Sequence, residues 1–498
     1  MLLDNLKADG TQSGGGVREE RESSGLPVER RVYTNRSLKM DQIEWVGFDM
    51  DYTLAIYKQA EIDRLSIEAT VKKLVDRGYP PELTEARYDE GFPLRGILID
   101  KQEGNLLKMD RFKYVAKAFH GSRELSRDRR RELYHQRRIR VDSDRYHWVD
   151  TLYALPEAAV YAGAVDFFDA RGDQLDYAQL FKDIRESIDE AHRDGAIVDV
   201  IEQNLPRFVA PDPELATTLH RLRSAGKKLF LLTNSRAGYS ESMMTFLLGG
   251  AMAEYPTWRH YFDVVVVAAA KPKFFTDRRP FMEFRGKGEE STRASRFERL
   301  KIYEGGNLAE FERLIGASGD EVLYVGDHIY GDVLRAKKES AWRTVMIIQE
   351  MADELRAAAE SREEHAEIDQ IELRRARLMD ELRARQARLK SIERDRDESD
   401  AQDEGAQDVY RAEKRAIETI RQTVREDEDR ARAIERAVDE RFHHGWGSLF
   451  KEGVEVSSFG DQVEEYACLY TMKVSNLGYY SPTHYYRSPR DYMPHERG

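Results

Sequence analysis

Two aspartates flank one residue in Asp49-Met50-Asp51, just after the apolar run Trp45-Val46-Gly47-Phe48 and just before Tyr52-Thr53-Leu54. The pattern predicts a short buried strand over Val46 to Phe48 that ends in carboxylates. At the carboxyl edge of an open α/β sheet, where such sheets bind ligands, a carboxylate can be a covalent nucleophile. Its i+2 neighbour points the same way in an extended chain and can serve as acid and base beside it. Taken alone, Asp-x-Asp also occurs in exposed turns. Three later stretches repeat the design. Leu229-Phe230-Leu231-Leu232 runs into Thr233-Asn234-Ser235, small hydroxyl and amide groups suited to phosphate oxygens. Val264 to Val267 lead to Ala268-Ala269-Ala270-Lys271-Pro272, where Lys271 can set a cation beside a phosphate. Lys273 can serve instead, but its neighbour in Ala-Lys-Pro is the better placed. Val322-Leu323-Tyr324-Val325 ends in Gly326-Asp327-His328-Ile329-Tyr330-Gly331-Asp332. Each strand thus ends in a group that phosphoryl transfer can use.

The elements that must hold these groups follow in order. Residues 1–28 carry Gly10 to Gly16 and a charged run, and read as a disordered leader. Glu61 to Gly78 has helical spacing and is ended by Gly78 and Pro80-Pro81. Residues 92–118 alternate more and predict a β-hairpin or flap. Lys108 and Asp110 there either face the site or form an exposed hairpin pair. Residues 120–212 look mostly helical, with basic Arg127 to Arg140, apolar Tyr153 to Phe168 and an amphipathic helix over Phe181 to Gly195. Arg185, Asp189 and His192 on that helix share one face, as a solvated ion-pair face also would. Further helices are expected over Pro213 to Gly226, Ser240 to Leu248 and Glu310 to Ile315. Trp342 to Ile348 is expected to be the last core strand. From about 352 to 442 the chain turns rich in Arg, Glu, Asp and Ala, without proline. Ile368, Ile371, Leu378, Leu382, Leu389 and Ile392 fit heptad positions, as do Ile417, Ile420, Val424, Ala431, Ile434 and Val438. Two long helices folding back across acidic Asp397 to Asp408 are expected, as an antiparallel coiled-coil hairpin. A charged single helix is the alternative, and partner binding stands beside a plain spacer as the hairpin's role.

Composition bounds the partners. With 498 residues the chain exceeds one typical domain. A net charge of -13 excludes a general binder of nucleic acid polymers, which would carry a basic face. The single cysteine, Cys468, cannot form a disulfide within the chain and fits a reducing cytoplasm. No segment approaches the roughly 18 consecutive apolar residues of a membrane span.

Taken in order, the strand-end motifs resemble the haloacid dehalogenase (HAD) superfamily, and more closely its cytosolic purine 5'-nucleotidase branch (subfamily IG). The stretches that carry the resemblance are Val32-Tyr33-Thr34-Asn35-Arg36-Ser37-Leu38, Phe48 to Ala55, Arg95-Gly96-Ile97-Leu98-Ile99-Asp100 and Gly104-Asn105-Leu106-Leu107-Lys108-Met109-Asp110. Ala270-Lys271-Pro272-Lys273-Phe274-Phe275, Gly326 to Asp332 and Met493-Pro494-His495-Glu496 continue it. It implies an α/β fold: a Rossmann-like parallel sheet core, a mainly helical cap and the inserted coiled-coil hairpin. The expected divisions are a leader at 1–28, core with flap at 29–119, cap at 120–212, core again at 213–351, hairpin at 352–442 and a C-terminal segment packing on the core at 443–498.

The resemblance further implies Mg²⁺-dependent hydrolysis of purine nucleoside 5'-monophosphates such as IMP and GMP. Asp49 would be the nucleophile and Asp51 the acid and base, with Thr233, Asn234 and Lys271 stabilising the transferring phosphoryl group. Asp49, the backbone carbonyl of Asp51, and Asp327 would hold Mg²⁺, with Asp332 ordering waters or Lys271 behind them. Arg185, Asp189 and His192 would hold the nucleoside; the branch has an aromatic residue where Arg193 stands and a lysine where Val198 stands. Transfer of phosphate to a second nucleoside, a homo-oligomeric state and a cytoplasmic setting are also implied. A phosphatase for another small phosphate ester and a scaffold acting through the hairpin are the alternatives.

Overall fold

The computed structural model describes residues 25–135, 139–141, 143–286, 288–398 and 404–489. Most of the expected leader, the Met493 to Glu496 motif and part of the acidic Asp397 to Asp408 stretch lie outside the described residues. The chain divides into two compact units: Met1–Ala352 with Leu449–Gly498, and Asp353–Ser448.

In the first unit the strands that matter to the site are β1 (Trp45–Phe48), β2 (Ile56–Tyr57), β3 (Val209–Ala210), β4 (Lys228–Leu232), β5 (Val264–Val267), β6 (Ile302–Gly305), β7 (Val322–Gly326), β8 (Arg343–Ile347) and β9 (Leu469–Thr471). All but β2 and β3 lie in one ten-stranded sheet, in the order β9-β8-β7-β1-β4-β5-β6. Every pairing within that run is parallel. Short antiparallel strands finish both edges: Tyr33–Thr34 on one side, Phe281–Phe284 and Thr292–Arg293 on the other. β1, β4, β5 and β7 are apolar and almost wholly buried, as strands covered on both faces by helices must be. Next to β1 the packing is tight. A Cβ on Gly47 would lie 2.0 Å from the Phe230 ring of β4, so only glycine fits at the sheet's centre.

Helices α1 (Gln59–Asp76), α2 (Leu155–Arg171) and α3 (Tyr177–Arg193) follow β2; α1, expected with the core part at 29–119, packs on the two helices of the stretch expected to be the cap. Asp176 starts α3 by accepting from the N–H groups of Ala178 and Gln179. The chain leaves the core at β2 and returns at β3, and these two pair antiparallel with Tyr57 opposite Val209. The flap is larger than a hairpin. It is a five-stranded antiparallel sheet that recruits Arg123–Glu124 and Tyr146–Trp148 from the stretch expected to be helical. Tyr146-His147-Trp148 is half-buried and aromatic, a pattern that strand pairing favours once a partner edge is available. Lys108 neither faces the site nor lies exposed. It is buried, with Nζ donating to the Lys451 carbonyl at 2.8 Å and paired with Glu452 at 2.9 Å. Asp110 closes a turn by accepting from the N–H groups of Phe112 and Tyr114.

Trp342 to Ile348 is not the last core strand. β9 adds beyond it in parallel, with Val345 opposite Leu469. Only three residues long, β9 offers too little periodicity to be read before its partner is known. Cys468 is buried beside it.

In the second unit α4 (Arg362–Glu398) and α5 (Glu404–Phe442) pack side by side. Ion pairs run Glu367–Arg430, Arg374–Asp427 and Arg385–Glu413, so partner numbers fall as the chain advances and the helices are antiparallel. Leu382, Ile417 and Ile420 form the buried seam, flanked by Leu378, Leu389 and Val424. The surface is heavily charged, so the pair buries a single stripe.

Candidate active site

Four parallel strands deliver their terminal groups to one edge of the sheet. Asp49 leaves β1 with its N–H donating to the Val325 carbonyl of β7. Leu54 and Ala55 then donate to the Met50 carbonyl, and Tyr52 takes a left-handed conformation (φ 56°), so the chain folds sharply back beneath the two aspartates. Both carboxylates are buried.

The Lys271 ammonium sits between the carboxylates. Its Nζ lies 2.9 Å from Asp49 Oδ1 and donates to Asp332 Oδ1 at 2.6 Å and to the Tyr324 hydroxyl at 2.9 Å. Asn234 does not reach outward as a phosphate ligand in this arrangement. Its amide grips the backbone of Lys271, accepting from the Lys271 N–H at 2.5 Å and donating to the Lys271 carbonyl at 3.0 Å. Thr233 is fully buried and accepts from the Ser235 N–H. Asp51 is held at both oxygens: Tyr57 donates to Oδ1 and Ser235 donates to Oδ2, each at 2.6 Å.

Asp327 ends β7. Its backbone carbonyl accepts from Arg95 at 2.9 Å, and Thr53 approaches its carboxylate at 3.5 Å. Arg95 is itself buried, paired with Glu350 at 2.7 Å. Asp332 packs against Gly326, where a Cβ would fall 2.6 Å from the carboxylate, and accepts from the His328 N–H.

Asp49, Asp327 and Asp332 offer oxygens that all lie within 4.8 Å of one another. Burial, then the charges of neighbouring carboxylates, push Asp49 well above the ordinary carboxylate range, with Lys271 opposing. Burial, then Asp332, push Asp327 up to about 7. Burial raises Asp51 too, against the hydrogen bonds from Ser235 and Tyr57. Among the described residues the lysine and arginine cations beside these carboxylates are Lys271 and Arg95, the latter already paired with Glu350, so the cluster of Asp49, Asp327 and Asp332 suits a hard divalent cation with oxygen ligands.

The cap residues lie differently. Arg185 is turned onto α2, donating to Glu157 at 2.8 Å and lying 3.4 Å from His147. Burial pushes Glu157 up to about 7 despite Arg185, and burial together with Arg185 pushes His147 down to about 4. Asp189 is exposed. His192 is half-buried, its ring 6.0 Å from that of Tyr153. Tyr153 in turn stands edge-on to Tyr52 at 4.7 Å and is 39% exposed. This ring joins the aspartate loop to the cap helix and was not among the residues singled out by motif. Tyr57 and Tyr324 give no signal either, because a buried Tyr within an apolar run reads as packing, and Arg95 opens one of the resembling stretches without a role that its spacing reveals. Ser235 carried a signal, two residues after Thr233 on the same strand end.

A parallel sheet with β1 central, four chemically armed strand ends on one edge and a cap inserted after the first of them defines the HAD class of phosphohydrolases. The chain belongs to the 5' nucleotidase family, whose model matches residues 32–498. A 5'-nucleotidase domain-containing protein of Dictyostelium discoideum is 29% identical over 476 residues, covering 93% of this chain and 74% of that protein. The 5'-nucleotidase domain-containing protein 2 of Rattus norvegicus is 35% identical over 339 residues, covering 65% of this chain and 60% of that protein. Against solved structures, a β-phosphoglucomutase from an archaeal Pyrococcus aligns at 10% identity and a TM-score of 0.29, over 61% of this chain and 86% of that one.

Proposed function

We propose that the chain is a Mg²⁺-dependent 5'-nucleotidase that hydrolyses purine nucleoside 5'-monophosphates through a phosphorylated Asp49. The observation that carries this reading is the pairing of roles at β1. Asp49 is paired with the Lys271 ammonium, while Asp51, two residues on, is braced at both oxygens as a positioned acid and base needs to be.

An Asp49 carboxylate oxygen attacks phosphorus and the bond from phosphorus to the ribose oxygen breaks. The leaving oxygen keeps the electron pair and takes a proton from Asp51. Water then attacks the phosphorus of the acyl phosphate and gives its proton to Asp51. The bond to Asp49 breaks, releasing inorganic phosphate and restoring the carboxylate. Lys271 stabilises charge on the phosphoryl oxygens, and Asn234 fixes the lysine's backbone. Asp49, the Asp51 carbonyl and Asp327 would hold Mg²⁺, which when bound supplies charge neutralisation at the phosphate.

Tyr153 and His192 support a planar base as the other half of the substrate. Arg185 favours a second reading, a phosphatase for another small phosphate ester, because its guanidinium is committed to Glu157. Transfer of the phosphoryl group to a nucleoside follows where a nucleoside competes with water. Among the described residues no helix is long and apolar enough to cross a membrane. A cytoplasmic setting and a homo-oligomer complete the proposal, the former supported by the single cysteine.

Phosphate release from a panel of 5'-mononucleotides and sugar phosphates, with Mg²⁺ and with EDTA, tests it. Mg²⁺-dependent release from IMP or GMP supports the nucleotidase; release from sugar phosphates alone keeps the chemistry and discards the purine.

A further inference from the structure

Tyr57 lies on β2, where the chain leaves the core for the cap, and its hydroxyl meets the site from the side opposite Ser235. It is buried, and its ring packs against Tyr52 at 4.8 Å. Pairing of β2 with β3 fixes its backbone, with Tyr57 opposite Val209. The Tyr239 hydroxyl, on the helix Ala237–Leu248 that follows the second strand-end motif, lies 2.8 Å from that of Tyr57.

Proton counting gives this chain a direction. An ionised carboxylate only accepts, and a phenol has a single O–H. While Asp51 is ionised Tyr57 donates to it, so the contact between the phenols must be Tyr239 donating to Tyr57. The order is Tyr239 to Tyr57 to Asp51 Oδ1, and each donation polarises the next. Oδ1 is thereby held as an acceptor. Oδ2, which accepts from the rotatable Ser235 hydroxyl, is left to carry the proton on its remaining lone pair, with the Thr233 hydroxyl also bonded to this carboxylate.

Resting on the phosphohydrolase reading above, we infer that Tyr57, backed by Tyr239, is a positioning residue that aims the Asp51 proton at the leaving-group oxygen. The chain's geometry sets which oxygen is protonated and in which direction it points. The ribbon that carries Tyr57 is the one that joins core to cap, so the aim of the acid is set where the cap is attached.

Leaving-group dependence separates this role from a merely structural one. p-Nitrophenolate departs without a proton, whereas a ribose oxygen needs one. In kcat/KM, which reports on the steps through phosphorylation of Asp49, Tyr57→Phe should lower IMP turnover by roughly ten- to hundredfold and p-nitrophenyl phosphate turnover by less than about threefold. Phenyl phosphate, a poorer leaving group without a nucleoside, should fall in between. Tyr239→Phe should shift the three substrates in the same order by smaller factors, and it carries the test if Tyr57→Phe does not fold. Equal losses on all three substrates, or none, would overturn the inference while leaving the hydrolytic reading intact. Failure of the natural chain to release phosphate from any of the three in Mg²⁺ would overturn both.

Discussion

At the scale of single residues the site is a problem of buried charge. Lys271 is the ammonium that faces Asp49 and Asp332, and all three are buried. Lys271→Met should therefore lower kcat by roughly a hundredfold or more and cost about 3 kcal/mol of stability, because two carboxylates lose their partner. Urea unfolding of the variant beside its steady-state rate reads both; a normal rate would remove Lys271 from the mechanism. Asp63 on α1 offers a cleaner test of burial, because burial, Gln59 and Glu90 set its ionisation rather than the carboxylates of the site. It is buried with the Gln59 amide donating at 2.7 Å, and burial raises its pKa to about 8. Its folded pKa exceeds the unfolded value, so the folded chain keeps a proton that the unfolded chain releases. Stability from this group is full below about pH 4 and is lost as pH rises through about 8. Asp63→Asn lacks that loss, so its melting temperature should gain on the natural chain's between pH 5 and pH 8. A constant difference across that range would mean that Asp63 ionises normally.

At the scale of elements the central strands were legible because each is a short apolar run that ends abruptly in polar groups, as in Phe48-Asp49 and Val325-Gly326-Asp327. Helices α1 and α3 were legible from their spacing. What the sequence hid were elements whose identity depends on a distant partner. Tyr146–Trp148 becomes a strand by pairing with Leu98–Asp100, and β9 by pairing with β8, some 120 residues away in sequence. The same holds for the site: Asp49, Asp51, Lys271 and Asp327 sit in recognisable strand ends, whereas Tyr57 and Arg95 act through hydrogen bonds that no local pattern announces. Packing between elements gives its own prediction. Gly47→Ala should drive a methyl into the Phe230 ring and cost about 1–3 kcal/mol, and adding Phe230→Leu should recover part of the loss. Denaturant melts of the single and double variants would show it. A single variant as stable as the natural chain would contradict the tight β1–β4 contact.

At the scale of the whole molecule, the groups proposed for catalysis all belong to the first of two units, and the antiparallel pair of α4 and α5 has a buried seam of its own. Leu378, Leu382, Leu389, Ile417, Ile420 and Val424, six of the twelve apolar positions read as heptads, lie in that seam. Replacing Asp353–Ser448 by a flexible linker should leave Asp49-dependent turnover within roughly threefold of the natural chain, because every group proposed for the chemistry lies in the first unit. Light scattering on the same two proteins would then assign any oligomer to the second unit or clear it. Loss of turnover would tie the second unit to the chemistry. The central claim, however, is that Asp49 carries the phosphoryl group. Acid quenching of the natural chain during turnover of ³²P-labelled IMP in Mg²⁺, followed by peptide mapping, tests it most directly. The account predicts acid-stable, hydroxylamine-labile label on the peptide that contains Asp49, and none in Asp49→Asn. Phosphate release by the natural chain with no label on that peptide, or undiminished release by Asp49→Asn, would contradict it.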